Sequence, residues 1–149
     1  MVLPRSLNVA QARRGLGATK LRKMRVLLAD DHPGLLAVAQ SLLKRDVDVV
    51  RCVDNGESLV DAAVKLHPDV IVTDISMPRL SGLEAVDRLR ESGCSPKVVF
   101  LTAHSDPDFI DAALKAGALA YVLKTSIVTD LLFAIQEALA GRIFVSARV

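Results

Sequence analysis

The sequence predicts an α/β domain: a five-stranded parallel sheet, doubly wound, with helices on both faces. Three observations predict it. Five short apolar runs alternate with five segments of helical periodicity. The strand-to-strand spacing, about 20–25 residues, is what a chain of βαβ units with short connections requires. The central run, Val70-Ile71-Val72, is too apolar to have a wet face, as expected of a strand covered on both sides. At 149 residues, 51% hydrophobic and without Trp, the chain suffices for one domain with an aliphatic core.

The first strand is Arg25–Ala29, followed by Asp30-Asp31-His32-Pro33. Pro33 suits the first turn of a helix in which Leu35, Val38 or Ala39, and Leu42 recur at helical spacing. Val47–Val53 alternates more and reads as a strand near an edge, after which Asn55-Gly56 is expected to turn the chain. Leu59, Ala62, Ala63 and Leu66 mark the second helix, stopped by His67-Pro68. The third strand, from Val70, ends on Asp74, and Pro78 prevents its continuation because it has no N–H for the ladder. Ser81 and Glu84 have capping-box spacing and open a helix that Gly93 ends. Lys97–Leu101 is the fourth strand, ending on Thr102. Asp106-Pro107 opens the fourth helix, which runs to Gly117. Leu119–Leu123 is the fifth strand, ending on Lys124, and Thr125, Ser126 and Thr129 offer caps for a last helix that Gly141 ends.

The net charge of +2 hides an asymmetry. Residues 1–24 carry six basic residues and no acid, whereas 25–149 carry the other 13 basic residues and all 17 acids, a net of 13 − 17 = −4. Residues 1–24 are expected to be a basic, disordered leader, 25–141 the folded domain, and 142–149 a tail or the start of an interdomain linker. No apolar run approaches a membrane span, so no membrane association is expected. Cys52 and Cys94 form no Cys-x-x-Cys pair and read as small hydrophobes in a reduced cytoplasm.

Chemistry gathers at the strand ends. In a parallel sheet the C-terminal ends share one edge, which is where open α/β sheets bind ligands. There Asp30, Asp31, Asp74, Thr102 and Lys124 would converge. Each alone reads as an ordinary loop residue, and Asp74 alone as a turn residue. Together, three repelling carboxylates call for a cation, and an all-oxygen set suits Mg²⁺. Lys124 offers a point charge and the Thr102 hydroxyl a donor to a phosphoryl oxygen. This is a site for phosphoryl transfer to a carboxylate, with Asp74 as nucleophile. The first strand is followed by no Gly-x-Gly-x-x-Gly and the chain has no Walker loop, so the two common nucleotide sites are absent.

Over about residues 24–140 the chain resembles the receiver domain of two-component response regulators. The resemblance rests on Ala29-Asp30-Asp31-His32-Pro33, Asp74-Ile-Ser-Met77-Pro78 with Gly82, Leu101-Thr102-Ala103, and Gly117-Ala-Leu-Ala-Tyr121-Val-Leu-Lys124. It implies a flavodoxin-like (βα)5 fold with strand order 2-1-3-4-5. It implies that Asp74 is the phosphoacceptor, taking its phosphoryl group from the phosphohistidine of a sensor histidine kinase to give a 4-aspartylphosphate. It implies Mg²⁺ as cofactor, held by Asp31, Asp74 and the backbone carbonyl of Ser76, with Asp30 placed to assist. Thr102 and Tyr121 would be the switch pair, Lys124 a contact to the phosphoryl group, and Ser76 and His104 modulators of its hydrolysis. His32 is assigned no role, since the neighbouring carboxylates favour Mg²⁺ over a His-bound metal.

Thr125 departs from the Pro common after the lysine, and Asp-Asp-His-Pro with Ala140–Ser146 resembles the LuxR-type branch. That branch implies transcription regulation through a helix-turn-helix DNA-binding domain not present in this chain, with homodimerisation on phosphorylation. The chain is expected to be either the receiver of a longer transcription factor or a stand-alone receiver. On modification, Thr102 would move toward the new oxygens, Tyr121 would turn inward, and the face formed by 106–138 would repack. The domain is expected to be a cytoplasmic phosphoacceptor that catalyses its own phosphorylation and dephosphorylation, not a turnover enzyme. Two alternatives remain: a receiver-like interaction module that is never phosphorylated, and an aspartyl-nucleophile phosphatase, which would want an acid where Ser76 stands.

Overall fold

The computed structural model describes residues 23–146; the expected leader, apart from Lys23 and Met24, and the last three residues of the tail lie outside them. Among the described residues six strands and five helices alternate: β1 (Met24–Ala29), α1 (Pro33–Leu43), β2 (Val47–Val53), α2 (Gly56–Leu66), β3 (Val70–Thr73), α3 (Gly82–Glu91), β4 (Lys97–Thr102), α4 (Pro107–Lys115), β5 (Ala120–Leu123), α5 (Ile127–Leu139) and β6 (Phe144–Val145). All strand pairs are parallel, in the order β2-β1-β3-β4-β5-β6. The expected five-strand order is present, and β2 is an edge. The tail residues Phe144–Val145 extend the sheet by a sixth strand beside β5.

Strand alternation sends successive side chains to opposite faces. Val26, Leu28, Val70, Val72, Val99, Leu101 and Val122 meet Leu43 of α1 and Leu131 and Ile135 of α5. On the opposite face Leu27, Ala29 and Ile71 pack with Leu59 of α2 and Leu89 of α3. Phe100 and Tyr121 pack there with Val86 of α3 and Ile110 of α4. Two helices therefore cover one face and three the other.

The helix starts follow local chemistry. Pro33 and Pro107 occupy first-turn positions. Ser81 and Glu84 close a reciprocal capping box. Asn55-Gly56 is not a free-standing turn: Asn55 Oδ1 accepts from Ser58 N at 2.8 Å and caps α2, of which Gly56 is the first residue. The caps expected for the last helix are also absent. Lys124–Ser126 form a 3₁₀ turn that leads into α5, and Ser126 makes no side-chain cap. The second helix ends at His67 in the left-handed region (φ 49°), followed by Pro68.

Candidate functional site

Asp30, Asp31, Asp74 and Lys124 lie together at one edge of the sheet. The Asp30 N–H donates to Val53 O and the Asp74 N–H to Ala29 O, each at 3.0 Å, carrying the ladder one residue past the strands. Asp30 and Asp74 are thereby fixed side by side, 2% and 5% exposed. The loop after β3 folds back so that Gly82 N donates to Ile75 O at 2.7 Å. A Cβ on Gly82 would overlap the Asp74 backbone carbonyl, so only glycine lets α3 begin this close to the site.

Asp74 is held from both sides. Its Oδ1 accepts from the Ile75 N–H at 2.7 Å and its Oδ2 from Lys124 Nζ at 2.8 Å. Lys124 Nζ also lies 2.9 Å from Asp30 Oδ2, as an ion pair not aligned as a hydrogen bond; that oxygen is buried and has no hydrogen-bond partner. Burial acts to depress the Lys124 pKa, but the hydrogen bond to Asp74 and the close carboxylates of Asp74 and Asp30 outweigh it and hold the ammonium above its usual value. Asp31 is more open, its side chain 35% exposed. One carboxylate oxygen from each of Asp30, Asp31 and Asp74, with a ring nitrogen of His32, lie within 4.8 Å of one another. Three carboxylates against one ammonium leave an excess of two negative charges. This carboxylate donor set fits a hard divalent cation.

His32, set aside on sequence grounds, is part of this cluster: its Nδ1 lies 3.0 Å from Asp30 Oδ1 and 3.2 Å from Asp31 Oδ1. Its place in the sequence next to both acids was the available signal. The Ile75 N–H that orients Asp74 had no signal, because any residue could supply it.

Ser76, Thr102, His104 and Tyr121 form a second layer. Ser76 Oγ lies 2.9 Å from His104 Nε2, and the His104 ring stacks on Phe109 with centroids 4.2 Å apart. The fully buried Thr102 accepts from the His104 N–H through Oγ1 at 3.3 Å, leaving its own proton free to donate elsewhere. The phenol of Tyr121 donates to His104 O at 2.7 Å and its ring is fully buried. Tyr121 thus already points inward, where the sequence reading has it arrive only after modification. Ala103, between the two, is exposed and leaves this side open.

Burial, then the charges of Asp74 and Asp106, push the Tyr121 phenol up from 10.0 to about 12. The raised value favours the neutral phenol in the fold. That contribution is present below the usual tyrosine value and lost as pH rises through the folded one. Tyr121 is the only tyrosine and the chain has no Trp, so absorbance reads this group alone. A spectrophotometric titration is expected to show tyrosinate forming near pH 12, and a midpoint near 10 in folded protein would contradict the inward, buried placement.

Among the described residues, no helix is long and apolar enough to cross a membrane. Residues 26–136 match the response regulator receiver domain family. The nitrate/nitrite response regulator protein NarL of Escherichia coli (strain K12) is 38% identical over 123 residues, 81% of this chain and 57% of that protein. The chain therefore spans less than two thirds of that relative's length. A two-component response regulator of the LuxR family from Aurantimonas sp. SI85-9A1 superposes with TM-score 0.78 at 30% identity, over 82% of this chain and 89% of that one. The isolated receiver domain of RcsB from Salmonella enterica serovar Typhimurium, determined with the phosphomimetic BeF3-, gives 0.76 at 29%, over 83% and 94%. With the family matched across most of the chain, the chain belongs to the response regulator receiver domains, and its relatives include LuxR-family regulators.

Proposed function

We propose that the domain is a signalling switch in which Asp74 takes a phosphoryl group from the phosphohistidine of a sensor histidine kinase. The observation that carries the reading is the placement of Lys124 Nζ, 2.8 Å from Asp74 Oδ2 and 2.9 Å from Asp30 Oδ2, at the buried end of β3. In the transfer an Asp74 oxygen forms the new P–O bond and the P–N bond breaks, its electron pair going to the departing imidazole. Lys124 neutralises charge on the acceptor and on the transferred oxygens, and the Thr102 hydroxyl donates to one of them. Asp31, Asp74 and the Ser76 carbonyl, with Asp30 beside them, would hold Mg²⁺, which would screen the phosphoryl oxygens from the carboxylates.

The exposed, small Ala103 leaves room for the incoming phosphohistidine. The Ser76–His104 pair, two positions beyond Asp74 and Thr102 in the chain, would set how readily water reaches the phosphoryl group, so self-catalysed hydrolysis limits the signal without making the domain a turnover enzyme. An aspartyl phosphate adds roughly −1.5 to −2 charge and three acceptor oxygens. These favour the arrangement in which Thr102 is drawn toward Asp74 and Tyr121 stays inward, changing the face formed by α4, β5 and α5. In a cytoplasmic regulator of the LuxR kind, that face would govern homodimerisation or an attached helix-turn-helix DNA-binding domain, and so transcription.

Incubation with Mg²⁺ and phosphoramidate, followed by intact-mass measurement, tests the reading. One added phosphoryl group per chain is expected, with none when Mg²⁺ is chelated. Continuous release of phosphate from small phosphoesters would favour a phosphatase, and an unchanged mass would favour a module that is never phosphorylated.

A further inference from the structure

The sixth strand is short, but its contacts fall on the strand that carries both Tyr121 and the approach to Lys124. The Phe144 N–H donates to Leu119 O at 2.9 Å and the Ser146 N–H to Tyr121 O at 2.8 Å. Val145 is the register partner of Tyr121 and packs against the cluster that contains its ring. The Ser146 side chain, 1% exposed, donates to Asp130 Oδ2 of α5 at 2.9 Å and accepts from the Leu123 N–H at 3.1 Å. Phe144 meets Phe133 of α5 edge to face, centroids 5.2 Å apart. One hydroxyl thus ties the C-terminal segment, β5 and α5 together, one residue before Lys124.

Resting on the phosphoswitch reading above, we propose that residues 144–146 are a clasp on the switch strand, held by Ser146 and Asp130, that keeps Tyr121 in its inward position. The clasp adds a backbone partner to the Tyr121 carbonyl and a side chain, Val145, beside its ring. A cavity of about 590 Å³ is lined by Tyr121, Ile110, Leu123, Lys124 and Val145, so the clasp and the switch strand together wall one space next to the buried ring. Coupling of this kind is reciprocal. If docking of 144–146 favours inward Tyr121, then whatever draws Thr102 toward Asp74 and keeps Tyr121 inward also tightens the docking. Phosphorylation would in this way reach the C-terminal segment through the backbone of β5.

Two readouts test the clasp. In the unmodified protein, the fluorescence of the single tyrosine should be shielded from acrylamide. Ser146→Ala, and separately Asp130→Ala, should raise quenching toward that of free tyrosine at a temperature where circular dichroism shows each variant still folded. Shielding that persists in both variants overturns the proposal whether or not the domain is ever phosphorylated. In protein treated with Mg²⁺ and phosphoramidate, the amide hydrogens of Phe144 and Ser146 should exchange several-fold more slowly than before. A confirmed phosphoryl adduct with unchanged exchange would overturn the coupling and leave the acceptor role of Asp74 intact. An absent adduct would count against the acceptor reading and the coupling built on it, while the tyrosine readout would still decide the clasp.

Discussion

Lys124→Met is expected to destabilise the domain at neutral pH. The substitution leaves Asp30 and Asp74, both almost fully buried, with no cation between them. Breaking a dry ion pair from one side costs about 3–5 kcal/mol; the Lys124 side chain keeps 17% exposure, so the loss here should be on the order of 2–3 kcal/mol. The pH dependence has a definite sign. Lys124 has its pKa raised by the two carboxylates after their pull overcomes the cost of burial. Its stabilisation is therefore complete below the ordinary lysine value and is lost as pH rises through the folded one. Denaturant unfolding should show the gap between wild type and variant narrowing at alkaline pH. Added Mg²⁺ should recover part of the variant's loss, since a ligand that binds only the folded state stabilises it. A gap independent of pH would contradict this electrostatic account.

Gly82→Ala and Gly34→Ala are expected to act in opposite directions. At Gly82 the new methyl would overlap the Asp74 carbonyl and stand 3.2 Å from Thr73 Oγ1, so the start of α3 must move away from β3. Overpacking against rigid backbone costs roughly 1–3 kcal/mol, and the upper part of that range is expected here. The displaced backbone is that of Asp74 itself, so phosphoryl uptake should fall along with stability. Nothing lies within 4 Å of the same methyl at Gly34, inside α1. There alanine should stabilise by about 0.5–1 kcal/mol, because it removes glycine's extra backbone freedom in the unfolded chain. Chemical denaturation of the pair reads both signs.

Most of the fold could be read in the sequence because its signals are local and mutually consistent. Apolar runs of β length, prolines at helix starts and the Ser81–Glu84 box each specify a nearby backbone. The failures occur where the decisive partner lies far along the chain. Asn55-Gly56 has turn chemistry in isolation, but its asparagine caps α2, and a Cβ on Gly56 would overlap Leu80. Phe144–Val145 is too short to announce a strand, and it exists because β5 offers an edge and Asp130 a partner for Ser146. The clustering of Asp30, Asp31, Asp74 and Lys124 was legible for a topological reason: parallel strands bring their C-terminal ends to one edge, so residues from three strands needed only correct strand assignments to be placed together. What the residues could not convey is how unequal the neighbouring acids are. Asp30 is buried against Lys124 and Asp31 is partly open, a difference set by the β1 register and by Lys124, 94 positions on from Asp30.

Asp74 is the residue on which the proposed switch depends. Peptide mass mapping after treatment with Mg²⁺ and phosphoramidate tests it most directly. The added phosphoryl group should fall on the peptide that contains Asp74, and Asp74→Asn protein should acquire none under the same conditions. A phosphoryl group on another residue of the wild-type protein, or one that persists in Asp74→Asn, would contradict it.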